Sequence, residues 1–104
     1  GLIRSIHAPN ALMDAARGLA REIAENTSAV SVAMTRAMMW RLPSGDHPME
    51  AHKIDSRAIY RLSRGADAKE GIASFLEKRA PDYPAKVSED MPDFYPWWDA
   101  PEYR

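Results

Sequence analysis

The side chains best suited to hold a metal gather in one place, at His47, Glu50 and His52, where two imidazoles flank a carboxylate. A zinc site on a helix needs its histidines at i and i+4, so that both rings leave the same face. These two stand five positions apart, with Pro48 between them, and no metal site is expected. Glu22 with Glu25 and Glu89 with Asp90 fall on exposed or irregular stretches, where acids are ordinarily solvated, so neither pair makes an acid/base dyad. His7 has no nucleophile beside it, and the absence of cysteine removes thiolate chemistry, disulfides and cysteine zinc sites. Met34 and Met38 are one helical turn apart on an apolar stripe, so the group Met34, Met38, Met39 and Met49 is expected to fill core or interface gaps. Arg36, Trp40 and Arg41 form a basic and aromatic patch. Fourteen basic against fifteen acidic residues give a net charge of −1, without the broad positive field that nucleic-acid binding uses. No catalytic residue is expected within the chain.

The elements that carry these residues are helical. Leu2, Ile3 and Ile6 predict a short buried strand or extended lead-in, broken at Pro9, with Asn10 as the N-cap of a first helix to about Asn26. Its apolar positions Leu12, Ala15, Ala16, Leu19, Ile23 and Ala24 share a face opposite Arg17, Arg21, Glu22 and Glu25. Gly18 lies inside this helix at a cost of roughly 1 kcal/mol relative to alanine, which predicts a close packing contact there. Ser28 is placed to cap a second helix to about Leu42, with Val30, Ala33, Met34, Ala37 and Met38 as its buried stripe. The run from Pro43 to Pro48 is a loop. Pro48 then opens a third helix with Met49, Ala51, Ile54, Ala58, Ile59 and Leu62 inward, and the helix stops by Gly65. Asp67 with Glu70 reads as a capping box for a fourth helix. In that helix Ile72, Phe75 and Leu76 face a neighbour, Lys78 and Arg79 sit at the negative end, and Pro81 ends the run.

Beyond Pro81 the sequence KVSEDMPDFYPWWDAPEYR has no periodicity and is rich in proline and aromatics. It predicts an extended tail, too apolar to stay free, with Phe94, Tyr95, Trp97 and Trp98 clustered on a protein surface. The expected fold is therefore all-α: about four amphipathic helices after a short extended segment, with residues 1–81 as a helical domain and 82–104 as the tail. At 104 residues the chain is one domain at most, near the lower size at which a single core suffices. No apolar run is long enough to span a bilayer and no leader resembles a secretory signal, which predicts a soluble, cytoplasmic protein with neither membrane nor nucleic-acid partners.

The string DAKEGIASFLEKRAP resembles the closing helix of the crotonase superfamily, the enoyl-CoA hydratase/isomerase family. There an acidic residue, Glu-Gly, a Phe and Glu-Lys-Arg-x-Pro occur in this order and spacing. The start, GLIRSIHAPNALMDAARGLAREIAENTSAV, is similar to the stretch in which that family runs a strand into a helix carrying "LA..IA" and then a second helix. The resemblance implies the C-terminal helical domain of such an enzyme, and the opening at Gly1 without methionine fits a fragment. It implies an oligomerisation role, with self-association as trimers or dimers of trimers in the parent and as a dimer or higher in the fragment. For Phe75 and Lys78 it implies contact with the adenine and phosphate end of coenzyme A, in a site commonly shared with a neighbouring subunit. An aromatic face can stack on adenine and an ammonium can pair with a phosphate; the residues alone favour a core Phe and a solvated Lys, and it is the resemblance that raises the coenzyme A reading.

The parent's implied chemistry is reversible hydration of 2-enoyl-CoA thioesters in acyl-CoA metabolism. Its enolate is stabilised by two backbone N–H groups from a preceding β/α domain, so this chain alone is expected to be inactive and to carry no cofactor of its own. Isomerisation or thioester hydrolysis is the alternative within the family, because fold does not fix chemistry. A non-enzymatic helical interaction module whose tail docks on a partner is the alternative outside it.

Overall fold

A computed structural model describes residues 1–103. Four helices follow in order: α1 (Pro9–Asn26), α2 (Ala29–Arg41), α3 (Pro48–Leu62) and α4 (Ala66–Glu77). No strand forms among the described residues, so the architecture is all-α. Of the strand or extended lead-in expected at the N-terminus, the residues before α1 form a non-helical lead-in and no strand, and they are not buried: Leu2 is 98% exposed, and Ile3 and Ile6 are exposed as well. A lone strand has no partner for its backbone donors and acceptors, and no partner strand is present among the described residues.

Helix α1 starts one position before the expected cap. Pro9 takes the first turn, where its missing N–H costs nothing, and Ala8 is the N-cap, its carbonyl accepting from Ala11 and Leu12. None of its residues is buried. The contact expected at Gly18 is also absent, since a Cβ built there would meet nothing within 4 Å.

The core lies between α2 and α3. Ser28 caps α2 as expected, its Oγ accepting from the Ser31 N–H at 3.2 Å. Val30, Met34 and Ala37 are buried along one side, Met34 to 1% exposure, and Ala58 of α3 is buried with them. Met49 and Ile59, expected inward on α3, are exposed, so the buried stripe of that helix is narrower than its apolar pattern. Gly65 links α3 to α4. Its N–H donates to the Leu62 carbonyl, and a Cβ there would stand 3.2 Å from that same oxygen, which is why glycine suits this turn.

The tail packs back onto the helices. Pro92 is fully buried. The Arg57 guanidinium of α3 lies 4.3 Å over the Phe94 ring and that of Arg41 of α2 lies 4.5 Å over Trp98. Tyr95, Trp97 and Trp98 meet edge to face, at 4.8 Å between the two indoles and 5.3 Å between Tyr95 and Trp98. This is the clustering expected for the tail, and these four aromatics are half-buried.

The molecule is nonetheless open. Its radius of gyration is 16.8 Å, against about 13 Å for a compact chain of this length. It exposes 8740 Å², where a compact monomer of its mass exposes roughly 5,900 Å².

Candidate functional site at the end of helix α4

Helix α4 places Phe75 and Lys78, and its first turn is built differently from the expected capping box. Gly65, not Asp67, is the N-cap, without a side-chain hydrogen bond. Asp67 sits one residue inside the helix and only 9% exposed, where its carboxylate also complements the positive helix end. Its Oδ1 accepts from the Ala85 N–H at 2.9 Å, and its buried Oδ2 finds no partner among the described residues. Glu70, one turn on, accepts the Asp82 N–H at 2.7 Å and both terminal nitrogens of Arg79. Two carboxylates that could have capped the helix instead hold down the chain that leaves it.

This decides which face of α4 is inside. Asp67, Gly71 and Ser74, at i, i+4 and i+7, turn inward: Asp67 and Ser74 are buried, and a Cβ on Gly71 would stand 3.4 Å from the Tyr83 hydroxyl. The apolar stripe expected to meet a neighbour within the chain faces outward instead. Phe75 is 81% exposed, and Ile72 and Leu76 are exposed with it. The returning segment, tied by hydrogen bonds to Asp67 and Glu70, occupies the small-residue face.

At the C-terminus of α4 the backbone turns left-handed at Lys78, with φ 55° and ψ 41°. The Arg79 N–H donates to the Ser74 carbonyl, closing the helix with the six-residue bond of a Schellman-type ending. Glycine usually occupies that position, so a lysine there is strained. The two cations at this end are not equivalent. Arg79 is held by Glu70 and, at 2.6 Å, by Glu77. The Arg79 guanidinium, helped by the Asp82 N–H, holds the Glu70 carboxyl at about 2 against an ordinary 4.5, and in return Glu70 and then Glu77 raise Arg79 further. Lys78 pairs with no carboxylate among the described residues. An exposed aromatic and an uncompensated ammonium thus project from neighbouring turns, while the adjacent guanidinium is committed to holding the turn.

Other sequence candidates resolve into structural roles. The His47 Nδ1 accepts from the Met49 N–H at 3.0 Å, so this histidine is the N-cap of α3. Glu50 pairs with Lys53 at 3.3 Å, and no three metal-ligating side chains converge among the described residues. His7 pairs with Ser5 on the exposed lead-in. What the pattern of residues did not reveal is the hold of Asp67 and Glu70 on residues 82–85. Those bonds cross 12 and 18 positions to backbone N–H groups, which every residue type but proline carries.

A match to the enoyl-CoA hydratase/isomerase family spans residues 1–86. An enoyl-CoA hydratase of Alternaria alternata is 36% identical over 85 residues, 82% of this chain and 28% of the relative. A second from the same organism is 35% identical over the same share of each. A third is 39% identical over 71 residues, 68% of this chain and 23% of the relative. The chain therefore spans less than a third of the length of these relatives. Matched across more than four-fifths of its length, with DAKEGIASFLEKRAP forming α4 and the turn that closes it, the chain belongs to the enoyl-CoA hydratase/isomerase family.

Proposed function

We propose that this chain is the C-terminal helical part of an enoyl-CoA hydratase-like enzyme, in which it serves subunit assembly and part of the coenzyme A site. The reaction in that reading is reversible addition of water to a 2-enoyl-CoA thioester, and the groups that perform it come from residues outside this chain. The observation that carries the proposal is the closing turn of α4, where Phe75 and Lys78 are exposed and Lys78 alone of the two cations lacks a carboxylate partner. The names of the relatives, all enoyl-CoA hydratases, support the reaction class. In such a site the Phe75 ring stacks on adenine and the Lys78 ammonium pairs with a phosphate as a point charge. The exposed Ile72, Phe75 and Leu76 stripe, with the uncovered apolar residues of α1, supports a role in assembly.

In an enzyme carrying this chain, Lys78→Ala should raise the KM for crotonyl-CoA more than it lowers kcat. A contact remote from the reacting carbon stabilises ground and transition states alike. The effect should shrink as salt is added, because an exposed ammonium–phosphate pair is screened. Unchanged kinetics at low ionic strength would return Lys78 to a solvated helix end.

A further inference from the structure

A hollow of about 600 Å³ opens between α2 and the tail. Ala33 and Ala37, one turn apart, line its α2 side, where small side chains leave room. Arg36 and Arg41 stand on the same helix, Trp40 lies beside them, and the tail contributes Tyr95 and Trp98. Three observations bear on what this hollow takes. Neither Arg36 nor Arg41 pairs with a carboxylate among the described residues, so two guanidiniums border an apolar space without compensation. The Arg41 guanidinium lies over the Trp98 ring, and Trp98 is itself braced edge to face by Tyr95 and Trp97. A cation–π contact uses none of the guanidinium N–H groups in a carboxylate bond, and an arginine has five of them to offer an oxyanion. Trp40 is 76% exposed, an uncovered indole at the side of the same hollow. The tail side of the hollow, with Tyr95 and Trp98, lies beyond the family match, which ends at residue 86, while its α2 side lies within it.

We propose that this hollow binds a small organic anion, a planar apolar body bearing a carboxylate or phosphate. Its oxyanion is held by Arg36 and Arg41, and its body lies against Ala33 and Ala37 beside Trp40. Charge complementarity selects the anion, and the apolar lining supplied by Ala33, Ala37 and the exposed Trp40 indole selects an apolar body. The site is separate from the closing turn of α4, since neither Phe75 nor Lys78 lines it.

The test is an NMR titration of the 104-residue chain, following the Trp40 and Trp98 indole N–H groups and the Arg36 and Arg41 Nε–H groups. The probes are naphthalene-2-carboxylate, phenyl phosphate, inorganic phosphate and the neutral naphthalene-2-carboxamide. Saturable shifts at these four residues are expected with the two organic anions. The carboxamide should bind at least about tenfold more weakly, and Arg41→Gln should weaken the anions by about tenfold while the other resonances stay in place. Equal binding of the carboxamide would reduce the site to an unselective apolar hollow and overturn the proposal. Inorganic phosphate binding as tightly as phenyl phosphate would remove the role of the apolar body and overturn it also. The absence of saturation by about 10 mM would do the same. The comparison of carboxylate with carboxamide uses the unaltered chain, so it decides even if Arg41→Gln disturbs folding. No probe is a thioester or a nucleotide, so the result stands apart from the coenzyme A role of Lys78.

Discussion

Glu70 and Lys78 show how single residues divide structure from recognition within one turn. Glu70 is 17% exposed and accepts three hydrogen bonds, from Arg79 twice and from the Asp82 N–H, all of which favour the ionised carboxylate. Its folded pKa lies below its unfolded value. The stability it contributes is therefore complete above about pH 4.5 and is lost as pH falls from there towards about 2. A carboxyl titration followed by NMR should place the Glu70 midpoint near the lower end of that window, and a midpoint at the ordinary 4.5 would show that the Arg79 bridge does not persist. Lys78 carries a different cost, because its left-handed backbone is favourable only for glycine. Lys78→Gly should therefore stabilise the chain by about 1 kcal/mol in thermal unfolding while abolishing any phosphate contact. Lys78→Ala keeps the backbone strain and removes only the charge, so the two variants separate conformation from recognition. A destabilised Lys78→Gly would mean that the lysine side chain contributes more to the fold than its exposure suggests.

The helices differ in how their apolar faces are used. Helix α2 buries Val30, Met34 and Ala37 as its pattern requires, whereas α1 buries nothing and α4 turns its small-residue face inward. Gly18 tests whether α1 is free of close contacts within this chain. Nothing lies within 4 Å of its virtual Cβ, so Gly18→Ala should raise stability by roughly 0.5–1 kcal/mol through helix propensity alone. Circular dichroism melting of the isolated chain is the check. A loss of stability there would reveal a neighbour, such as a second copy of the chain, packed against the glycine.

At the scale of the molecule, the excess surface decides behaviour in solution. An excess of this order is comparable with or larger than the roughly 1,600 Å² buried in a standard protein interface, and it includes Leu2, Ile6, Leu12, Ile72, Phe75 and Leu76. The isolated chain should self-associate at micromolar concentration, and a compact monomer in sedimentation velocity would count against the assembly role. The tail is part of what closure the chain does have. Each docked aromatic removes on the order of 150–250 Å² from water when fully covered, and Phe94, Tyr95, Trp97 and Trp98 are half-covered here. Truncation after Asp82 also removes the Ala85 N–H that Asp67 accepts, leaving a buried carboxylate without that bond. The shortened chain should melt at lower temperature. Tryptophan emission at the fully solvated wavelength in the intact chain would show that the tail is not docked.

The sequence by itself determined the elements, because their signals are local. Ser28 and Pro48 set two helix starts, the three-and-four spacing of Val30, Met34 and Ala37 set the buried face of α2, and the aromatics after Pro81 required a surface to lie on. It also carried the family, through the string that becomes α4. Tertiary structure alone decided what those elements do with their faces. Asp67 and Glu70 meet both the requirement of a capping box and that of a hold on a returning chain, and the choice depends on backbone N–H groups brought near only by folding. Once residues 82–85 lie on the small face of α4, Ile72, Phe75 and Leu76 are directed outward, and an apolar stripe that local pattern assigns to a core becomes exposed surface. The same limit applied to Arg41 and Trp98. They are 57 positions apart, and only docking of the tail on α2 brought a guanidinium over an indole.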